Sequence, residues 1–255
     1  CVCITARGIP AYDDMDCTCV NGLKINEMDQ MYQLLMGLPL FSGVTYEKML
    51  EIIGSTKFHF LKYLEGETFI SEGEQCTHIK FIISGRVRVS IANADRRFTV
   101  SQTLTAPDVV APEYIFGRST TYPCSVVALE PTGVLQISKV DYMKILNSDS
   151  IFLINYLNLL SMNAQKAVDG ILSIATGSLE ERIAFWIVAL TQRGGTDITM
   201  TCRQRDLYSL FGVQRSSFIS TLDSMKERGL IDYSQTEIRV HDRRELIDIL
   251  HSSVE

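Results

Sequence analysis

Three things are scarce in this chain of 255 residues, and each scarcity narrows what it does. No apolar run is long enough to cross a bilayer, so no membrane partner is expected. Positive charge is not in surplus: 24 Lys and Arg stand against 30 Asp and Glu, a formal net charge of −6. Even residues 177–255 hold ten basic and twelve acidic side chains. A bulk electrostatic grip on nucleic acid is therefore excluded, and any DNA contact must rest on a few placed cations. Catalytic motifs are missing as well. There is no phosphate-cradling glycine loop, no Gly-x-Ser-x-Gly elbow and no His-Glu-x-x-His. The four histidines, His59, His78, His241 and His251, are scattered, and neither Cys124 nor Cys202 has a readable activating neighbour. An enzyme is not expected.

What is plentiful is apolar material, at 46% enough for a packed core, in a length that allows two domains. The opening stretch CVCITARGIPAYDDMDCTC has no apolar centre like a signal peptide's. With seven cysteines in the chain, this predicts reduced thiols in the cytoplasm. Cys1, Cys3, Cys17 and Cys19 form two Cys-x-Cys pairs. A four-thiolate metal or iron–sulfur site is one reading, but the spacing is tighter than the usual Cys-x2-Cys and favours the other, a polar extension whose cysteines act separately.

The pattern then divides the chain into 1–27, an extension; 28–148, a sensor domain; 149–176, a long helix; and 177–255, a second domain. Residues 28–55 read as two short helices broken at Gly37-Leu38-Pro39, with Thr45 capping the second. From 57 to 138, short runs rich in Val, Ile, Phe, Tyr and Thr alternate with turn residues. The predicted strands are 58–63, 68–70, 78–84, 86–91, 99–104, 125–128 and 134–138, which argues a small jelly roll. Ser138 with Asp141 suits a capping box opening a short helix. The long helix follows at about 150–175. Leu153, Leu157, Leu160, Ala164, Ala167, Ile171 and Ile174 recur along it at spacings of 4, 3, 4, 3, 4 and 3. Such a seam suits two copies of the helix packing together in a homodimer. A second stripe of Ile154, Val168, Leu172 and Ala175 is placed against the chain's own strands. Gly177 marks a hinge, and Ser178 with Glu181 a further capping box, opening a helix over 179–192.

Residues 203–230, RQRDLYSLFGVQRSSFISTLDSMKERGL, read as two helices about a tight turn. Leu207, Leu210 and Phe211 recur at helical spacing before Gly212, and Phe218, Leu222 and Met225 after it. Thr201 with Gln204 reads as the first helix's capping box. Arg215, Ser216, Ser217 and Ser220 share the polar side of the second helix. This is a helix-turn-helix pattern, in which the second helix enters the major groove. A plain helical hairpin with a solvated polar face is the other reading. Two runs, 230–233 and 237–241, suggest a wing, and 244–251 a closing helix.

The order of jelly roll, long dimer-type helix, hinge and winged helix-turn-helix, an α+β chain, closely resembles the Crp/Fnr family of bacterial transcription regulators. FISEGEQCTHIKFIISG (69–85) resembles the cyclic-nucleotide-binding signature, with Phe69 and Lys80 departing from it. GVQRSSFISTLDSMKERGLI (212–231) resembles the family's recognition helix and the start of its wing. LLMGLPLFSGVTYEKMLEII (34–53) resembles its N-terminal lead-in.

The resemblance implies double-stranded DNA bearing an inverted repeat as the partner, and RNA polymerase as a further partner for an activator. It places Arg215 where the family has its base-reading arginine, followed by Ser216, Ser217 and Ser220, the last where many members carry a second arginine. Thr201, Arg203 and Arg205 are candidates for phosphate contacts. It also implies an effector pocket, here around Glu113, Tyr114, Phe116, Arg118, Cys124 and Ser125. The cyclic-AMP branch uses Gly-Glu for the ribose and an Arg some ten residues on for the phosphate. In VVAPEYIFGRSTTYPCSVVA, Pro112 precedes Glu113, and Pro123 or Cys124 takes the arginine's place. Cyclic AMP is accordingly not expected as the effector. The iron–sulfur cluster of the Fnr branch would draw on the N-terminal cysteines with Cys76 or Cys124, but the spacing does not match that branch. The rival function is a ligand- or redox-sensing module whose helix-turn-helix serves protein interaction.

Overall fold

The alternating stretch becomes antiparallel sheet in the computed structural model, which describes residues 25–173 and 177–251. Its strands are β1 (His59–Tyr63), β2 (Thr68–Ile70), β3 (His78–Ser84), β4 (Arg86–Ala92), β5 (Thr99–Thr105), β6 (Asp108–Val110), β7 (Cys124–Ala128) and β8 (Thr132–Ser138). Contacts divide the described chain into two units. One runs up to Val87 and adds Thr105–Tyr122 and Val126–Ser161; the other comprises Arg88–Leu104, Pro123–Ser125 and the residues from Met162 onward.

In the first unit one sheet has the order β1-β8-β3-β6. Its centre is the apolar run of β3, where Phe81 lies opposite Leu135 on one side and Val109 on the other. Ile79, Phe81, Ile82, Leu135 and Ile137 are all buried, each stabilising the fold by roughly 1.5–3 kcal/mol relative to an exposed side chain. Gly85 adopts φ +84°, and a Cβ there would lie 2.8 Å from the Pro131 carbonyl oxygen. Only glycine meets both demands, which explains its place at the end of the signature. Lys80, the signature's odd residue, is buried, and its Nζ donates to the Phe69 carbonyl at 3.0 Å beside Glu74 at 3.6 Å.

The lead-in forms α1 (Ile25–Met36), a 3-10 turn (Pro39–Phe41) and α2 (Tyr46–Ser55), the last capped by the Thr45 hydroxyl accepting from the Lys48 amide at 3.4 Å. The Ser138 cap opens α3 (Lys139–Ser148). Then α4 (Ser150–Ser173) turns Phe152 and Tyr156, four residues apart, into the core. Phe152 meets Phe41 at 5.8 Å, and the Tyr156 hydroxyl donates to the Pro112 carbonyl at 3.0 Å. The expected inward stripe is corrected here. Ile154 and Val168 are 53% and 54% exposed, because the aromatic rings and Asn155 take the inward positions and a helix puts residue 154 on the other side. Leu172 and Ala175 lie outside the residues whose side chains are described.

Asp108, at the start of β6, was not read from the sequence. Its carboxyl is pushed up to about 6 by burial, against an ordinary 3.8, and the Val109 amide donating to it only partly offsets this. Below about pH 4 the group is protonated in both folded and unfolded chains. Between there and about 6 the unfolded chain releases its proton while the folded chain retains it, so stability falls as pH rises and then levels. The loss should be on the order of 3 kcal/mol. Asp108→Asn should flatten this slope in urea melts at pH 4, 6 and 8; an unchanged slope would refute the assignment.

The second unit contains α5 (Leu179–Leu190), β9 (Thr196–Thr201), α6 (Gln204–Leu210), α7 (Arg215–Glu227), β10 (Ile231–Tyr233), β11 (Glu237–Val240) and α8 (Arg243–His251). Its strands run in the order β10-β11-β9-β5-β4. Trp186, Ile187, Ile198, Met200, Phe211, Phe218, Leu222 and Met225 form one core. The helix predicted over 179–192 ends at Leu190. The buried Arg243 reaches back to that end, donating from Nε to the Thr191 hydroxyl at 3.0 Å and from Nη2 to the Val188 carbonyl at 3.1 Å. The Lys166 ammonium donates to the Thr191 carbonyl, so cations serve the carbonyl end of α5, where the helix dipole favours them. Among the described residues, no helix is long and apolar enough to cross a membrane.

Candidate functional site

The helix-turn-helix is built from α6, a turn and α7. Gly212 takes φ +64°, the left-handed conformation the turn requires. Phe211 stacks on Phe218 at 6.2 Å across the turn. Arg182, on α5, donates to the Phe211 carbonyl and lies over its ring at 5.6 Å, fixing the turn from beneath. Tyr208, the bulky residue at the crossing, is half-buried and packs on the same core, its ring 6.5 Å from Phe218. The phenylalanine contact gives the ring a place beside the crossing.

Outside this core, α7 presents its polar side. Arg215 is its first residue, and Arg215, Ser216, Ser217 and Ser220 are all exposed. The helix opens at Gln214 with no side-chain cap, so its first-turn amides and the positive end of its dipole face outward with Arg215. Among the described residues no ion pair engages Arg215, Arg203 or Arg205. Lys226 and Arg228, by contrast, are paired with Asp232 at 3.5 Å and with Glu180. Arg203, Arg205 and Arg215, at the openings of α6 and α7, are thus exposed charges available to a phosphate or a base.

Thr201 stands differently from expectation. It ends β9, paired with Thr99 on one side and Glu237 on the other, and the helix begins at Gln204 after Arg203, which makes no side-chain cap. The capping box of Thr201 with Gln204 is not formed, because a residue held in a strand ladder cannot also turn its hydroxyl to the α6 amides. Gln204 instead binds the wing, its amide nitrogen Nε2 donating to the Ser234 carbonyl at 2.9 Å. The Tyr233 hydroxyl donates to the Asp223 carboxylate of α7, which raises the phenol's pKa and ties wing to helix. Neither tie, nor the support from Arg182, was legible in the sequence, since each partner lies in another element. The Cys202 thiol is pushed up to about 11, mainly by burial, and stays protonated at neutral pH.

In the first unit, the stretch 112–118 forms a 3-10 turn (Pro112–Tyr114) and its exit. Glu113 and Arg118 are exposed, and Tyr114 is half-buried. Phe116 packs among Tyr142 at 6.3 Å and Tyr156 at 5.9 Å, with Lys139 Nζ at 5.1 Å from its ring. Burial raises the Tyr156 phenol to about 12, with Glu113 and Cys76 adding to it. That places the turn against the inward face of α4. Cys124, buried, and Ser125, half-buried, lie in β7 and belong to the second unit.

On α4, Leu153 and Leu157 are 42% and 50% exposed, Ala164 and Ala167 are exposed, and Leu160 is half-buried. Ile174 and the side chain of Ile171 lie outside the described residues, as do Cys1, Cys3, Cys17 and Cys19. No group of three metal-type side chains occurs among the described residues.

Residues 60–149 match the model of the cyclic nucleotide-binding domain, and residues 181–249 that of the Crp-like helix-turn-helix domain. No curated protein matches the chain. Solved structures similar to it include the catabolite activator protein of Thermus thermophilus, with 19% identity, 84% of this chain and 99% of that one covered, and a TM-score of 0.48. The sensor domain of the transcriptional regulator DNR from Pseudomonas aeruginosa has 18% identity, 56% and 93% coverage, and a TM-score of 0.48. A CooA mutant from Carboxydothermus hydrogenoformans has 18% identity, 84% and 94% coverage, and a TM-score of 0.45. The two domain matches, in this order, identify the chain as a transcription regulator of the Crp/Fnr family.

Proposed function

We propose that the protein is a cytoplasmic homodimer that reads an inverted DNA repeat through α7, under the control of an effector other than cyclic AMP. The observation that carries this is Arg215, exposed at the first turn of α7 with no ion pair to engage it. Its guanidinium is suited to donate two hydrogen bonds to guanine O6 and N7, worth about 1–3 kcal/mol of discrimination. Ser216, Ser217 and Ser220 are short and neutral, so the half-site should depend on few bases. Arg203 and Arg205 supply phosphate contacts that set register.

The exposed stripe of Leu153, Leu157, Ala164 and Ala167 supports the dimer. Two copies joined there would bring two recognition helices to successive turns of DNA, ~34 Å apart. An RNA polymerase contact would make the protein an activator.

The residues at the positions where the resemblance implies an effector pocket do not fit a cyclic phosphate. Pro112 is buried and offers no amide hydrogen, Cys124 is a buried thiol where an arginine is needed, and Arg118 is exposed. A buried phosphate without a charge-assisted partner is costly. Isothermal titration with cyclic AMP should give no binding heat at millimolar ligand; a micromolar dissociation constant would overturn this part. The DNA-binding part is tested by titrating labelled genomic fragments in the presence of excess unrelated duplex. A retained subset is expected, with affinity falling steeply as salt rises. Complete loss to the competitor would leave only non-specific binding.

A further inference from the structure

The winged unit contains more than the helix-turn-helix. Residues 88–104, which in sequence lie among the strands of the jelly roll, belong to it. The β5 strand pairs antiparallel with β9, with Thr99 opposite Thr201, Val100 opposite Met200, Ser101 opposite Thr199 and Thr103 opposite Thr196. Val100 is buried in the same core as Phe218, Leu222 and Met225 of α7. Gln102, 3% exposed, accepts the Gln192 amide at 2.7 Å through Oε1. Gly195 lies against that oxygen, where a Cβ would collide with it. At the hairpin tip, Asn93 and Phe98 close on each other, the Phe98 amide donating to Asn93 Oδ1 at 2.9 Å. From Phe98 a continuous run of ring contacts leads to the recognition helix: Phe98 to Trp186 at 5.3 Å, Trp186 to Phe211 at 5.7 Å, and Phe211 to Phe218 at 6.2 Å. These separations are in the favourable range for aromatic pairs.

We propose that the 88–104 hairpin is the positioning element of the recognition helix, acting through the strand ladder, the Gln102 contact and the aromatic run. This inference rests on the reading of α7 as the DNA-reading helix. The hairpin completes the core on which α7 sits, so loosening it lets Phe211 and Phe218 shift and Arg215 with them. The docking is not a perfect fit: the Thr103 hydroxyl is buried without a hydrogen-bond partner, which makes the docked strand easier to displace. By linkage, DNA that orders α7 must strengthen hairpin docking by the same factor.

The test uses the full chain, whose only tryptophan is Trp186, so its emission reports the Phe98 contact directly. Phe98→Ala, Gln102→Ala and Gly195→Ala are compared with Phe98→Tyr and with Arg97→Ala at the exposed tip. The readouts are Trp186 emission and the dissociation constants for a fragment the wild type selects and for an unrelated duplex. The first three variants should weaken the selected fragment about tenfold and leave the unrelated duplex unchanged. Phe98→Ala should also shift Trp186 emission to the red, Phe98→Tyr should restore both readouts, and Arg97→Ala should move neither. A moved emission with unchanged affinity would overturn the proposal, as would an equal loss on both DNAs, which marks general loosening. A wild type that selects no fragment would sink the DNA-reading function itself, a failure distinct from a wild type that binds beside variants that bind as well.

Discussion

Leu157→Asp is expected to give a monomer of 28.7 kDa that binds its DNA at least about a hundredfold more weakly than the wild type. Leu157 is half-exposed in the single chain and sits between Leu153 and Leu160 on the outer face of α4. In a two-fold pairing of this helix, each aspartate would enter an apolar seam close to its mate. Two charges would lose water and repel each other with no partner to offset either. The weaker DNA binding follows because one half-site no longer holds the other at high effective concentration. The fold of each chain should persist, since the buried face of α4 is that of Phe152 and Tyr156. Sedimentation velocity and DNA titration on the same preparation check both parts. A variant that remains a dimer would place the interface elsewhere.

The second large effect belongs to Arg215→Ala. Truncation should remove about 1–3 kcal/mol of base discrimination at each half-site, and so at least about thirtyfold in specific affinity for the dimer. Thermal stability should change little, because the side chain is exposed and no ion pair engages it. Arg203→Ala and Arg205→Ala should behave differently. Each should weaken all sequences alike and lower the salt dependence by about one counterion, as expected of a phosphate contact. The contrast between a sequence-dependent and a sequence-independent loss is what separates reading from holding. If Arg215→Ala also weakened all duplexes equally, Arg215 would be a phosphate contact and the base reader would lie elsewhere on α7.

Much of the architecture was legible because its signals were local. β2 and β3 fall where alternation and glycine punctuation put them, the Thr45 cap forms, and the Ser138 and Ser178 caps form at the three-residue spacings read from the chain. Phe218, Leu222 and Met225 line the core side of α7 at the spacing read from the chain. The misses are of another kind. β6 has three residues and no room for a pattern. β9 does alternate, with Ile198 and Met200 inward and threonines between, but Thr201 three residues before Gln204 also carries a cap signal that competes with the strand pattern. Gln102 shows why the rest stayed hidden. A glutamine in a strand pattern looks like a surface residue, and its partner amide is ninety residues away. The same holds for Arg182, whose acceptor is a backbone carbonyl in the turn after α6.

Reading of DNA by α7 through Arg215 is tested by selection of genomic DNA fragments by the purified full chain, without added effector, beside Arg215→Ala. The wild type should enrich an inverted repeat with half-sites about one helical turn, ~34 Å, apart, and Arg215→Ala should lose it. An Arg215→Ala chain that enriches the same repeat would contradict that reading.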